Sequence, residues 1–132
     1  VTDIELVTRY YAAFNRGDWD AMCALLADDV AHDLNQGERE LGASAFRAFL
    51  HRMARSYREQ LRDICVLGDG RGRVGAEYIV DGEYLATDEG LPPARGQRYS
   101  LPGAAFFDVR DGRIARVTNY YNLTDWLRQV GA

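Results

Sequence analysis

The spacing of apolar and polar positions changes period several times along the chain, and each change marks an element. Ile4, Val7, Tyr11 and Phe14 recur at helical spacing, with Leu6, Tyr10 and Ala13 widening the stripe. Thr2 and Glu5 fit a capping box at its start and Gly17 a stop at its end. Asp18 then N-caps a short second helix through Met22, Leu25 and Leu26, folded back on the first. After Asp28 and Asp29 the period drops to two, so that Val30, His32 and Leu34 share one face of a strand and Ala31, Asp33 and Asn35 the other. Gln36 to Gly42 is polar and turn-like. Phe46, Phe49, Leu50, Met53, Ala54 and Tyr57 return to helical spacing and predict a third helix that ends at Tyr57.

The second half reads as strands. A strand through Leu61, Ile64, Val66 and Leu67 runs into the turn Gly68-Asp69-Gly70-Arg71-Gly72, and Val74 to Leu85 returns antiparallel to it. Thr87 to Gly96 contains Pro92 and Pro93 and is too long for a tight turn, the kind of loop that borders sites. Gln97 to Val109 and Ile114 to Tyr121 flank Arg110-Asp111-Gly112 as a hairpin. Alternation in its second strand puts Val117, Asn119 and Tyr121 on one face and Arg116, Thr118 and Tyr120 on the other. Asn122 caps a closing helix carrying Leu123, Trp126, Leu127 and Val130. Helices first and strands grouped after them predict one α+β domain over residues 1–132, with helices against one face of a curved antiparallel sheet.

Composition narrows the function. A net charge of -4 gives no basic footprint for nucleic acid, and Arg47, Arg52, Arg55, Arg58 and Arg62 read as a solvated helix face. With no basic-then-apolar leader and no run long enough to cross a bilayer, a soluble, cytoplasmic protein without a membrane partner is expected. Cys23 and Cys65 sit among apolar neighbours and read as small hydrophobes rather than a disulfide. No His/Cys/carboxylate set has ligand spacing, and no Gly-rich loop links a strand to a helix, so neither a metal nor a cofactor is expected. Ser-His-Asp and Cys-His signatures are likewise missing.

The order of elements, the opening Arg9-Tyr10-Tyr11-Ala12-Ala13-Phe14-Asn15-Arg16-Gly17-Asp18, the Ala27-Asp28-Asp29-Val30 junction and the ending Asp111-Gly112-Arg113-Ile114 through Trp126-Leu127 together resemble the nuclear transport factor 2-like (NTF2-like) superfamily. The chain is most similar to its SnoaL-like and ketosteroid isomerase-related members. That resemblance implies a cone-shaped fold with helices on the concave face of the sheet, a deep apolar pocket and a homodimer through the outer sheet face. Steroid isomerases use an aspartate base with a tyrosine and a protonated aspartic acid at the enolate oxygen. In this chain the tyrosine matches Tyr10, but the base falls on Leu34 and the second acid on Ala105. Leucine cannot take a proton and alanine cannot donate one, so the resemblance extends to the scaffold and not to that mechanism.

Among the remaining groups, His32 is the candidate acid/base, because its free pKa lies near neutrality and Val30 and Leu34 share its face; a structural histidine is the alternative. Tyr10 reads either as a donor to a developing oxyanion or as a core tyrosine. The expected ligand contacts are Leu34, Tyr57, Tyr78, Phe107, Val117, Asn119 and Tyr121. Glu77 lies opposite Tyr78 and faces outward unless the register slips by one; His51 reads as solvated. Two functions remain open. One is a cofactor-independent enzyme moving a proton in a small, largely apolar carbonyl or cyclic compound. The other is a noncatalytic ligand-binding or dimerising module, in which Phe106 and Tyr120 cover a sheet-to-sheet interface.

Overall fold

The computed structural model describes residues 1–34 and 36–131. The predicted place of Asn35 on the outer face of its strand lies outside the described residues. Helix α1 (Asp3–Arg16) begins where Thr2 Oγ1 accepts from the Glu5 amide at 3.1 Å, and it ends at Gly17, whose φ of 70° only glycine adopts cheaply. Asp18 caps α2 (Trp19–Ala24) by accepting from the Ala21 amide at 3.0 Å. The second helix stops before Leu25, and strand β1 (Leu26–Asp33) already includes Asp28 and Asp29. The segment expected to be a turn holds a short strand, β2 (Arg39–Leu41). Helix α3 (Ala43–Ser56) ends one residue earlier than its apolar stripe suggests. Tyr57 is extended there (φ −134°, ψ 141°) and opens β3 (Tyr57–Gly68) instead of closing the helix.

Strands β4 (Arg73–Tyr84), β5 (Arg98–Arg110) and β6 (Arg113–Tyr121) follow as an antiparallel meander, and α4 (Leu123–Val130) closes the chain under the Asn122 cap. The β5–β6 turn is tighter than expected. Arg110 pairs with Arg113, leaving Asp111 (φ 52°) and Gly112 (φ 73°) as a two-residue turn with both φ positive, which matches the strand twist. The strand order is β2-β1-β6-β5-β4-β3. One pairing departs from the fully antiparallel sheet expected: β1 lies parallel to β6. The two strands are far apart in sequence, so no hairpin dictates their relative direction. Among the described residues the sheet is therefore mixed, six-stranded and open, with four helices.

The main core forms where α1, α2 and α3 meet the inner sheet face, around Val7, Val30, Phe46, Val74 and Ile114. Phe107 and Val117, expected as ligand contacts, are fully buried in it. Removing the Phe107 ring would cost about 3–5 kcal/mol. A second cluster of Tyr84, Tyr99, Leu101, Trp126 and Val130 packs where α4 covers β5. Cys65 is exposed rather than a buried hydrophobe, because it pairs with outward-facing Glu77 just beyond a bulge in β3. His51 is exposed, as expected. The outer face also carries Phe106 and Tyr120, edge to face at 6.0 Å, beside ion pairs from Arg116 to Asp108 (2.8 Å) and Arg39 to Asp33 (2.6 Å). Among the described residues, no helix is long and apolar enough to cross a membrane.

Candidate functional site

A cavity of about 370 Å³ opens against the inner sheet face, walled by side chains of α1, α3 and α4 and by the loop after β4. That volume suits a small ligand. Tyr10, Tyr11, Tyr57, Tyr78, Tyr99 and Tyr121 contribute their rings to its wall. Among the described lining residues the acids are Glu59 and Asp88, and none is an arginine or lysine.

Glu59 was not anticipated from the sequence. Since β3 starts at Tyr57, the inward-facing row is Tyr57, Glu59, Leu61, with Arg58, Gln60 and Arg62 exposed on the other side. Running the alternation back from Leu61 would have found it. Cross-strand register then aligns Glu59 with Gly82 and Gly82 with Tyr99. Two strand spacings separate the outer members, roughly 10 Å. The Tyr99 ring lies across Gly82 so closely that a Cβ there would sit 2.2 Å from Tyr99 Cζ. The phenol thereby reaches the acid: Tyr99 Oη donates to Glu59 Oε2 at 2.5 Å. Burial raises the Glu59 pKa, and the Tyr99 hydrogen bond partly offsets the rise. Other phenols sense the same carboxylate. Tyr78 is pushed up to about 12, first by burial and also by the Glu59 charge, and Tyr121 rises first by burial and then through Glu59 and Asp88.

The loop of residues 87–96 does border the site. Tyr57 Oη donates to Asp88 Oδ2 at 2.8 Å, the Asp88 amide donates to Tyr84 Oη at 2.9 Å, and Tyr84 Oη donates to the Pro92 carbonyl at 2.7 Å. Tyr57 stacks on Tyr84 at 5.4 Å, and Trp126 meets Tyr84 edge-on at 5.1 Å. These contacts hold the rim of the cavity against α4.

His32 lies at another part of the wall, 1% exposed, between the rings of Phe46 and Phe49 at 4.5 and 4.6 Å. Burial pushes its pKa down to about 4, so the ring is neutral at physiological pH. Asn119 Nδ2 is 3.2 Å from its Nε2, and Glu40 Oε1 is 3.9 Å from its Nδ1. Both ring nitrogens are therefore directed at protein groups. Tyr10 lines the cavity from α1, in edge contact with Tyr11 at 5.2 Å and with Phe107 at 5.4 Å, and burial raises its phenol above the ordinary range. Tyr11 packs on Tyr78 at 5.3 Å, its hydroxyl buried without a hydrogen bond of ordinary geometry among the described residues.

Of the residues expected from sequence, the cavity gathers His32, Tyr10, Leu34, Tyr57, Tyr78, Asn119 and Tyr121. It excludes Phe107 and Val117. Both point inward as expected, but Tyr10 and Tyr11 cover Phe107, and the strand alternation that places Val117 on the correct face cannot tell floor from wall.

A SnoaL-like domain model matches residues 7–117. The chain belongs to the SnoaL-like family. No curated protein matches it. Among solved structures, this SnoaL-like chain is 57% identical to a Pseudomonas putida protein described as a "putative polyketide cyclase", with 98% of each chain covered and a TM-score of 0.97. A Xanthomonas campestris protein of the same description is 68% identical, with 96% of this chain and 95% of that one covered and a TM-score of 0.92. An NTF2-like protein from Burkholderia xenovorans shares 16% identity over 97% of this chain and 95% of its own, at a TM-score of 0.78, and demonstrates the fold alone.

Proposed function

We propose that this SnoaL-like protein is a cofactor-independent enzyme that moves a proton within a small, largely apolar carbonyl or cyclic compound, with cyclisation the favoured outcome. The observation that carries the reading is the Glu59 carboxylate in an aromatic-walled cavity, held by the Tyr99 phenol. A carboxylate whose pKa is raised by burial is a stronger base once ionised, and a cavity with no arginine or lysine among its described lining residues leaves it unquenched. Glu59 takes a proton from the carbon next to a carbonyl, and the electron pair moves onto the carbonyl oxygen. Phenols of Tyr10 and Tyr78, whose own protons burial makes hard to remove, donate hydrogen bonds to that enolate. Attack of the enolate carbon on a second carbonyl of the same molecule forms the ring bond, and the new alkoxide recovers the proton from Glu59. Reprotonation at another carbon gives an isomer instead. The descriptions of the Pseudomonas and Xanthomonas relatives support the first course.

In this reading His32, with a protein group facing each nitrogen, orients Asn119 and does not itself carry the proton. Leu34, Tyr57 and Tyr121 shape the ligand space. The enzyme works in the cytoplasm as a homodimer, and the exposed pair Phe106 and Tyr120 supports association through the outer sheet face. The test is deuterium exchange from solvent into the activated methylene of small cyclic β-diketones, followed by NMR. Wild type is expected to accelerate exchange and Glu59→Gln to abolish it; unchanged exchange in the folded variant would overturn the assignment. Saturable binding of such compounds with no exchange in wild type would favour the noncatalytic module, which the loss of the usual acids at Leu34 and Ala105 also supports.

A further inference from the structure

The pairing of β1 with β2 sets His32 opposite Glu40. His32 Nδ1 and Glu40 Oε1 are both buried, both lack a hydrogen-bond partner among the described residues, and lie 3.9 Å apart. Leaving a buried polar atom unpaired costs about 1–3 kcal/mol, so two such atoms facing one another are the halves of a single contact. It closes with a movement of about 1 Å, well within the reach of a glutamate side chain. The next question is which proton sits between them.

Asn119 decides it together with Glu40. An amide can present either its oxygen or its nitrogen to Nε2, 3.2 Å away. Oxygen at that position requires a proton on Nε2, which leaves the bare Nδ1 lone pair against a carboxylate. Nitrogen at that position requires the lone pair on Nε2, which puts the ring proton on Nδ1, facing Glu40. Only the second arrangement satisfies both contacts. The amide oxygen is then the free end. Asn119 lines the cavity, and among the described residues no donor bonds its Oδ1.

We infer that Glu40, acting through His32, fixes the Asn119 amide with Oδ1 towards the cavity, so that the ligand presents a hydrogen-bond donor there, a hydroxyl or an N–H. Glu40 is a positioning residue and does not touch the ligand. The inference rests on reading this cavity as the ligand site, and it narrows the substrate class to a carbonyl compound that also carries a hydroxyl or amino donor. The phenols around Glu59 take the carbonyl end and Asn119 takes the donor end.

Two measurements test it. In protein labelled with ¹⁵N-histidine, the His32 ring at pH 7 is expected to show a protonated Nδ1 and an unprotonated Nε2; exposed His51, assigned by His51→Gln, gives the only other ring signals. Glu40→Ala mixes the tautomers, whereas Glu40→Gln, which retains an acceptor oxygen, restores the wild-type pattern. A proton on Nε2 in wild type, or no response to Glu40→Ala, overturns the relay. For the ligand class, 1-indanol and 1-indanone are titrated against wild type and Asn119→Ala. The alcohol is expected to weaken about 5–10-fold in the variant and the ketone to stay within about twofold, the size of one hydrogen bond. A ketone that weakens instead, or an alcohol that Asn119→Ala leaves untouched or that does not bind wild type, overturns the donor assignment. Because the tautomer is read without turnover, failure here is distinguishable from failure of the proton-transfer reading, which rests on Glu59.

Discussion

The two polar regions of the cavity are driven by the same force in opposite directions. Burial disfavours charge, so it lowers the pKa of His32 to about 4 and raises that of Glu59. What differs is the set of partners left over. His32 has a protein group facing each nitrogen, while Glu59 has, among the described residues, one phenol on one oxygen and an opening to the cavity. In the proposed reaction the group enclosed on every side serves as an anchor, and the one enclosed on all sides but the ligand's serves as the reagent. Residue type misleads here, since histidine is the usual suspect for proton transfer and the glutamate is the better placed.

Substitutions at the two ends should separate them. Glu59→Gln is expected to lower the rate of proton exchange by roughly 10²–10⁴-fold, the usual range for a lost general base, while His32→Gln lowers it by less than about tenfold. Equal losses would erase the distinction between reagent and anchor. Stability against pH provides the next contrast. The unfolded chain protonates His32 near 6.5 and the folded chain near 4, so between those values the unfolded state binds more protons and stability falls as the pH drops. The loss is on the order of 3 kcal/mol. Urea unfolding at pH 7 and pH 4 should show it in wild type, with a clearly shallower decline in His32→Gln.

Glu59 should give the reverse slope. Its folded pKa lies above the unfolded one, so stability falls as the pH rises through the folded value, and Glu59→Gln should raise the melting temperature by a few degrees at pH 7 but not at pH 4. Such a gain would mark a group kept for function at the expense of stability. The smallest effect expected is that of Tyr99→Phe. Losing its hydrogen bond lifts the Glu59 pKa further, which moves the acidic limb of the rate profile to higher pH while leaving most of the rate at alkaline pH intact. A limb moving the other way would mean that Glu59 is not the group titrating.

Most elements could be read from the chain because each carries its own local signal: the Thr2, Asp18 and Asn122 caps, the Gly17 stop and the positive φ at Asp111-Gly112 all depend on near neighbours. What stayed hidden depends on distant ones. The parallel β1–β6 pairing joins strands whose relative direction no short turn encodes. Strand β2 is too short and exposed to leave an alternating pattern, and Glu40 was hidden with it. Tyr57 continues the apolar stripe of α3, so the helix looked one residue longer and β3 four residues shorter than they are, which removed Glu59 from view. Inward-facing residues of β5 and β6 were assigned to the correct side, but the depth that separates Val117 from Asn119 is set by the helices laid over the sheet.

Gly82 contributes no functional group, yet the strength of the acid at Glu59 is decided over its backbone. An alanine there would meet the Tyr99 ring at 2.2 Å and force the phenol off its path. The signature of this site thus runs across the sheet, as carboxylate, vacancy and phenol on three neighbouring strands, and no linear motif contains it. Anyone sorting related sequences by chemistry would gain more from aligning positions 59, 82 and 99 as one transverse word than from any stretch of consecutive residues.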